Sequence, residues 1–378
     1  MAPQPPHQSP PSAPPSADGV PRPVRDRQGN LRRHPAAGLV PGERVGPYRV
    51  EYEFGSGGMG RVYAARHGAT GRPVAIKVLR NPFGTGPLDG AEGRRRLYRE
   101  AIALSKVRHP NVPALHAVDQ DDRVGPYVVL ERVEGVSLTR WRQIHTPSTG
   151  RILDTLVQVA RALAACHEAG LVHRDVKPTN VLVEPSGRAV LVDFGLAVRP
   201  RPADAPVATT EDPLRGRITD VGTVLGTNGY IAPELVLGRA LTYAADQFSF
   251  GVLLFEALCG KRPYEGATAV AYARAVRDGA RRAFSCTDAP DELPRALDRM
   301  LAVDPGARFA SMRDVAKVLE RCARKVHRST VGDALRRARG WWRAHLGLRV
   351  PAAAEPITTS PAHVATTELQ SVDLTILP

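Results

Sequence analysis

The chain has 378 residues, 43% hydrophobic and 24% charged, which is enough for one large domain of about 250 to 300 residues with tails, or for two domains. Its formal net charge is +14, but lysine occurs only at 77, 106, 177, 261, 317 and 325, so the excess is arginine. With abundant Ala, Gly and Pro, that bias reflects a G+C-rich genome and does not argue for nucleic-acid binding; no apolar run of about 18 residues marks a membrane span.

Residues 1–47 are basic and rich in Pro, Ser and Ala, too poor in apolar surface to offset the entropy of ordering, so a disordered segment is expected. They contain no apolar core of a secretory signal. The four cysteines (Cys166, Cys259, Cys286, Cys322) lack C-x-x-C spacing and fit free thiols, so a cytosolic protein is expected. Order is expected from Tyr48-Arg49-Val50. There strand-like residues lead into a glycine cluster, Gly55, Ser56, Gly57, Gly58 and Gly60, ahead of Val62. Glycines at this spacing let backbone N–H groups approach phosphate closely. A Rossmann turn with similar letters would open into a helix. Here Arg61-Val62-Tyr63-Ala64-Ala65 continues as a strand, giving a hairpin.

The next strand holds Val74-Ala75-Ile76-Lys77. A buried lysine keeps its charge only beside a carboxylate. The helix-like run 92–106 offers Glu100, near a stripe of Leu97, Ala101 and Leu104; Glu92 is the alternative, close to the helix start. His109-Pro110-Asn111-Val112 breaks that helix. Two strands follow, around 114–118 and 127–130, and Leu130-Glu131-Arg132-Val133-Glu134-Gly135 reads as an extended connector. Residues 151–169 have helical apolar spacing and stop at Gly170.

The richest stretch is His173-Arg174-Asp175-Val176-Lys177-Pro178-Thr179-Asn180, followed by Asp193-Phe194-Gly195, with the apolar runs 181–183 and 190–192 between them. Asp175 can accept a proton from a hydroxyl, and Lys177 can neutralise a phosphoryl group. Asn180 and Asp193 are oxygen ligands of the hard type that Mg²⁺ prefers. A polar, Pro-rich segment then precedes Gly226-Thr227-Asn228-Gly229-Tyr230-Ile231-Ala232-Pro233-Glu234. Residues 246–256 form an apolar run that predicts a buried helix opened by Asp246. Beyond the expected domain end at 325, residues 326–350 place Val331, Leu335, Ala338, Trp342 and Leu346 on one stripe, with arginines off it. Such a basic amphipathic helix either packs on its own domain or rests on an anionic membrane surface. Residues 351–378 are Ala/Pro/Thr-rich and expected to be disordered.

In their order, these motifs resemble those of the eukaryotic-like serine/threonine protein kinases of bacteria. The resemblance implies an α+β, bilobal protein kinase fold over 48–325. A small lobe (48–133) would carry an antiparallel sheet and one helix, and a mostly helical lobe (134–325) would follow. It implies transfer of the ATP γ-phosphoryl group to Ser/Thr hydroxyls of protein substrates, with Mg²⁺. Asp175 would be the base, Lys177 and Lys77 would neutralise phosphate charge, and Glu100 would hold Lys77. Asn180 and Asp193 would be the metal ligands, and Thr227 would contact the catalytic loop. Gly55, Ser56, Gly57, Gly58 and Gly60 would cover the phosphates. Leu130 would be the gatekeeper, Glu131 and Val133 would offer connector backbone to the adenine edge, and Val62, Ala75 and Leu182 would sandwich the ring. Asp246 would cap its helix or hold the catalytic loop, and Arg308 would pair with Glu234. Arg174 implies docking of a phosphorylated activation segment, with Thr219 and Thr223 as the expected sites and self-association as the route.

Overall fold

The computed structural model describes residues 24–25, 31–32, 38–57, 60–79, 104–121, 123–193, 228–237, 239, 241–266 and 268–346, the last sixteen by backbone alone. The chain divides into two units, Met1–Val326 and His327–Pro378. Two short strands, β1 (Val24–Arg25) and β2 (Leu31–Arg32), pair with each other.

The main sheet is antiparallel, in the order β3-β4-β5-β6-β8-β7. Its strands are β3 (Arg44–Val45), β4 (Tyr48–Gly57), β5 (Gly60–His67), β6 (Pro73–Leu79), β7 (Leu115–Asp121) and β8 (Gly125–Glu131). Side chains alternate faces along a strand, and residues directly opposite share a face. The register Val62↔Lys77, Ala64↔Ala75 and Ala75↔Leu130 therefore puts Val62, Lys77, Ala75 and Leu130 on one face. Tyr63, Ala65, Val74, Ile76, Tyr127 and Val129 fall on the other and are buried together with Val45, Tyr48 and Val50. Fully burying an aliphatic side chain such as Ile76 is worth about 1.5–3 kcal/mol, so the closed face stabilises the sheet and leaves the opposite face for a cleft.

Order begins earlier than the sequence suggests. Val45, placed by sequence in a disordered segment ending at 47, is fully buried in β3, and Leu39 donates its N–H to the Tyr63 hydroxyl. Two residues of strand in a Pro-rich stretch give no periodicity to read.

The helical part begins after the connector with β9 (Val136–Ser137) and α1 (Leu138–His145), capped by the Ser137 hydroxyl. The 20-residue α2 (Thr149–Glu168) is capped by Ser148 and ends at Gly170, whose φ is +80°. There Leu171 N–H reaches the Cys166 carbonyl and Gly170 N–H the His167 carbonyl, the paired bonds of a Schellman stop. Strands β10 (Val181–Val183) and β11 (Ala189–Leu191) form a hairpin beside β9. Further helices are α3 (Pro233–Val236), α4 (Tyr243–Cys259), α5 (Ala269–Arg277), α6 (Glu292–Met300) and α7 (Met312–Leu346). Helix α4 is buried on nearly every side, as its apolar sequence predicts. Helix α7 spans 35 residues and includes Gly332 and Gly340. All four cysteines are free. Among the described residues no helix is long and apolar enough to cross a membrane.

Candidate active site

The segment between α2 and β10 is held by one buried carboxylate. Asp246, in the first turn of α4 and fully buried, accepts the N–H groups of His173 and Arg174, each at 2.8 Å. It also lies 2.8 Å from His167 Nε2 on α2. Of the two roles open to Asp246 in the sequence, it holds the loop; the residue before α4, Thr242, caps nothing with its side chain. Burial works to raise the Asp246 carboxyl, but these bonds and the neighbouring imidazoles outweigh it and keep the group below the ordinary carboxylate range. Arg174 has φ +72°, a left-handed conformation that costs a non-glycine residue about 1–3 kcal/mol and persists only when its surroundings dictate it. The bond from its N–H to Asp246 is that constraint.

Within the loop Asp175 accepts from Lys177 Nζ at 2.7 Å and from Asn180 Nδ2 at 3.0 Å. Asn180 Nδ2 also donates to the Asp175 carbonyl at 2.8 Å, so its two amide protons are committed to Asp175. That fixes the amide orientation and leaves Oδ1 as the atom able to hold a cation. His173, fully buried, approaches the Val192 carbonyl with Nε2 at 3.2 Å, and Val192 N–H donates to the Asn180 carbonyl. These two bonds fasten Asp193 to the loop. Asp193 has φ +61°, a conformation aspartate tolerates better than most residues.

Lys77 arrives from the sheet. Its Nζ lies 2.5 Å from Asp193 Oδ1, joining the two lobes across the cleft. The side chains are 6% and 39% exposed, so the lysine is enclosed while the carboxylate still offers a face to solvent. Partial burial works to raise the Asp193 carboxyl; the Lys77 ammonium, with Lys177, more than offsets it and holds the group ionised below its usual range. Among the described residues no three His, Cys, Asp or Glu side chains form a metal cage. Asp193 and Asn180 make a two-residue oxygen site of the kind Mg²⁺ shares with substrate phosphates and water.

Of the residues expected from sequence, Asp175, Lys177, Asn180, Asp193 and Lys77 are thus brought together. Gly55, Ser56, Gly57 and Gly60 form the β4–β5 hairpin, paired Gly55↔Val62, Ser56↔Arg61 and Gly57↔Gly60. Val62, Ala75 and Leu130 are half-buried on the open sheet face, and Leu182 is half-buried between the fully enclosed Val181 and Val183. Val133 is buried in the connector. The Glu131 side chain turns to Arg188 Nη1 (2.8 Å) and Ala114 N–H (3.2 Å), so the part of it available to a nucleotide is backbone. Glu100, Gly58, Thr227, Thr219 and Thr223 lie outside the described residues.

Residues 48–321 match the protein kinase domain family. The chain belongs to that family. It is similar to serine/threonine-protein kinase PknA of Mycobacterium tuberculosis, 38% identical over 230 residues that cover 58% of this chain and 48% of PknA. PrkC of Bacillus subtilis is 32% identical over 283 residues, 73% of this chain and 41% of its own. PknH of Mycobacterium bovis is 31% identical over 309, or 79% and 47%. The chain therefore spans about half the length of the curated relatives it matches.

The kinase domain also uses residues that sequence reasoning passed over. Asn111, read there only as a helix break, donates from Nδ2 to the Ala189 carbonyl (2.7 Å) and to Gln158 Oε1 (2.8 Å), while its carbonyl accepts Leu191 N–H. This anchors the turn before β7 to the hairpin that leads to Asp193. His167, which the sequence does not single out, is a second support for Asp246. The pairing expected of Arg308 is present: its guanidinium grips Glu234 at 2.7 and 2.8 Å, both side chains essentially without exposure.

Proposed function

We propose that the chain is a serine/threonine protein kinase that moves the γ-phosphoryl group of ATP to Ser or Thr hydroxyls of proteins. The observation that carries this is the meeting of Lys77, Asp193, Asn180, Asp175 and Lys177 through bonds of 2.5 to 3.0 Å at the junction of sheet and helical lobe. Phosphoryl transfer needs an in-line hydroxyl and positive charge around the equatorial oxygens. Asp175 orients the acceptor hydroxyl and takes its proton, a role typically contributing about 10² to 10⁴-fold. Lys177, already on Asp175 Oδ2, lies where it can share its charge with the transferring group. Lys77 can exchange its bond to Asp193 for the inner phosphates, freeing the carboxylate. The donors fit Mg²⁺ held by Asp193 and Asn180 Oδ1, which when bound supplies charge neutralisation on the phosphates. The purine ring fits against Val62, Ala75 and Leu182, with the backbone of Glu131 and Val133 at its edge.

Lys177, two places after Asp175, supports hydroxyls of Ser and Thr over Tyr, as do the names of the relatives. Purified chain incubated with Mg²⁺, γ-labelled ATP and myelin basic protein should yield labelled phosphoserine and phosphothreonine. Label confined to phosphotyrosine, or none at all, contradicts the proposal. Autophosphorylation at Thr219 or Thr223 belongs to the same reading, and a double alanine variant with an unchanged phosphopeptide map would exclude those sites. ATP use and four free thiols support a cytosolic site of action. Peripheral contact of 326–350 with anionic membrane rests on the sequence stripe; equal co-sedimentation of vesicles with and without that segment would remove it.

A further inference from the structure

The connector that would meet the adenine edge is fastened from the helical lobe by an arginine on the β10–β11 turn. Arg188, on the turn between β10 and β11, donates from Nε to the Pro110 carbonyl (2.6 Å) and from Nη1 to Glu131 Oε1 (2.8 Å) and Glu184 Oε1 (3.1 Å). The other Glu131 oxygen accepts Ala114 N–H, and Glu131 N–H donates to the Ala114 carbonyl. Glu131 is therefore bonded at its backbone, at one carboxylate oxygen to the strand beside it, and at the other to the opposite lobe. The next residue is tied the other way: Arg132 pairs with Glu51 of β4 and lies over the Tyr52 ring. Both partners of the Arg188–Glu131 pair are about 28% exposed, enough enclosure for a charged bond to survive screening. The guanidinium is held above its ordinary range by Glu131. Partial burial works to raise the Glu131 carboxyl, and Arg188 reverses this.

We infer that Arg188 is a positioning residue for nucleotide binding: through Glu131 it sets the connector backbone that reads the purine edge, without touching the nucleotide. The inference rests on the kinase reading of the cleft. Losing a charge-assisted bond at this point frees the connector before ATP arrives, so binding must re-order it. The effect falls on ATP affinity and not on the chemical step.

The test compares wild type, Arg188→Ala, Arg188→Lys, Glu131→Gln and the Arg188→Ala/Glu131→Gln double variant. Initial rates with Mg²⁺–ATP and myelin basic protein are read beside calorimetric titration with Mg²⁺–ADP. Arg188→Ala should raise the KM for ATP and the Kd for ADP about ten-fold, with kcat within about two-fold and the KM for acceptor protein unchanged. Arg188→Lys should recover part of the loss, and the double variant should be no worse than the poorer single one. An unchanged KM and Kd, or a fall in kcat that tracks a lowered Tm while KM stays constant, overturns the inference and leaves Arg188 a structural residue. A wild type that transfers no phosphate would defeat the kinase reading itself, and the ADP titration would still report on Arg188.

Discussion

Two lysine- or arginine-to-carboxylate pairs show how burial separates structure from chemistry. Arg308 and Glu234 are both sealed, and the guanidinium adds bonds to the Ala302 and Ala244 carbonyls, so nothing can enter or leave. Lys77 and Asp193 are as close, but Asp193 keeps an open face, so this pair can rearrange around phosphate. Removing one partner of the sealed pair strands a buried charge. Glu234→Ala should therefore cost about 3–5 kcal/mol in urea denaturation, and a loss below about 1 kcal/mol would show that the pair carries little. Asp175, Asn180, Asp193 and Lys77 were legible in the sequence because the chemistry restricts each to one or two residue types at fixed spacing. Asn111, His167, Gln158 and Arg188 were not. Their partners are backbone groups, a side-chain amide or carboxylates, mostly from distant segments, and one more arginine in an arginine-rich chain gives no signal.

Elements were legible where periodicity was long. The 151–169 reading lies within two residues of α2, and its stop at Gly170 follows from the left-handed conformation there. A Cβ at Gly170 would meet nothing within 4 Å, so Gly170→Ala isolates the backbone penalty. It should lower stability by about 1 kcal/mol and Tm by roughly 2–4 °C. An unchanged melting curve would mean that α2 does not depend on this stop. Short or composite elements were not legible. Strand β3 has two residues, and its burial comes from pairing with β4, which composition cannot show. Helix α7 contains Gly332 and Gly340. Glycines within a helix cost about 1 kcal/mol each, which a continuous α7 absorbs over 35 residues.

For the molecule as a whole, acidity acts on the groups that hold the lobe together. His173 is fully enclosed and burial lowers it from 6.5, so the unfolded chain takes up its proton first as pH falls below that value. Asp246, lowered from 3.8 despite its burial, contributes stability that is complete above that value and is lost as pH falls through its folded pKa. Both favour unfolding in acid, at no more than about 1.4 kcal/mol per pH unit for each group. Tm should stay level between pH 7 and 8, decline from about pH 6.5, and drop faster below 4; a Tm constant down to pH 4 would contradict the burial of a neutral His173. The most direct measurement of the phosphotransfer assignment compares label transfer from γ-labelled ATP by wild type and by Asp175→Asn, with Mg²⁺–ADP affinity determined on the same preparations. Transfer should fall at least about 100-fold while ADP affinity is retained. Undiminished transfer by Asp175→Asn would show that the chemistry lies elsewhere.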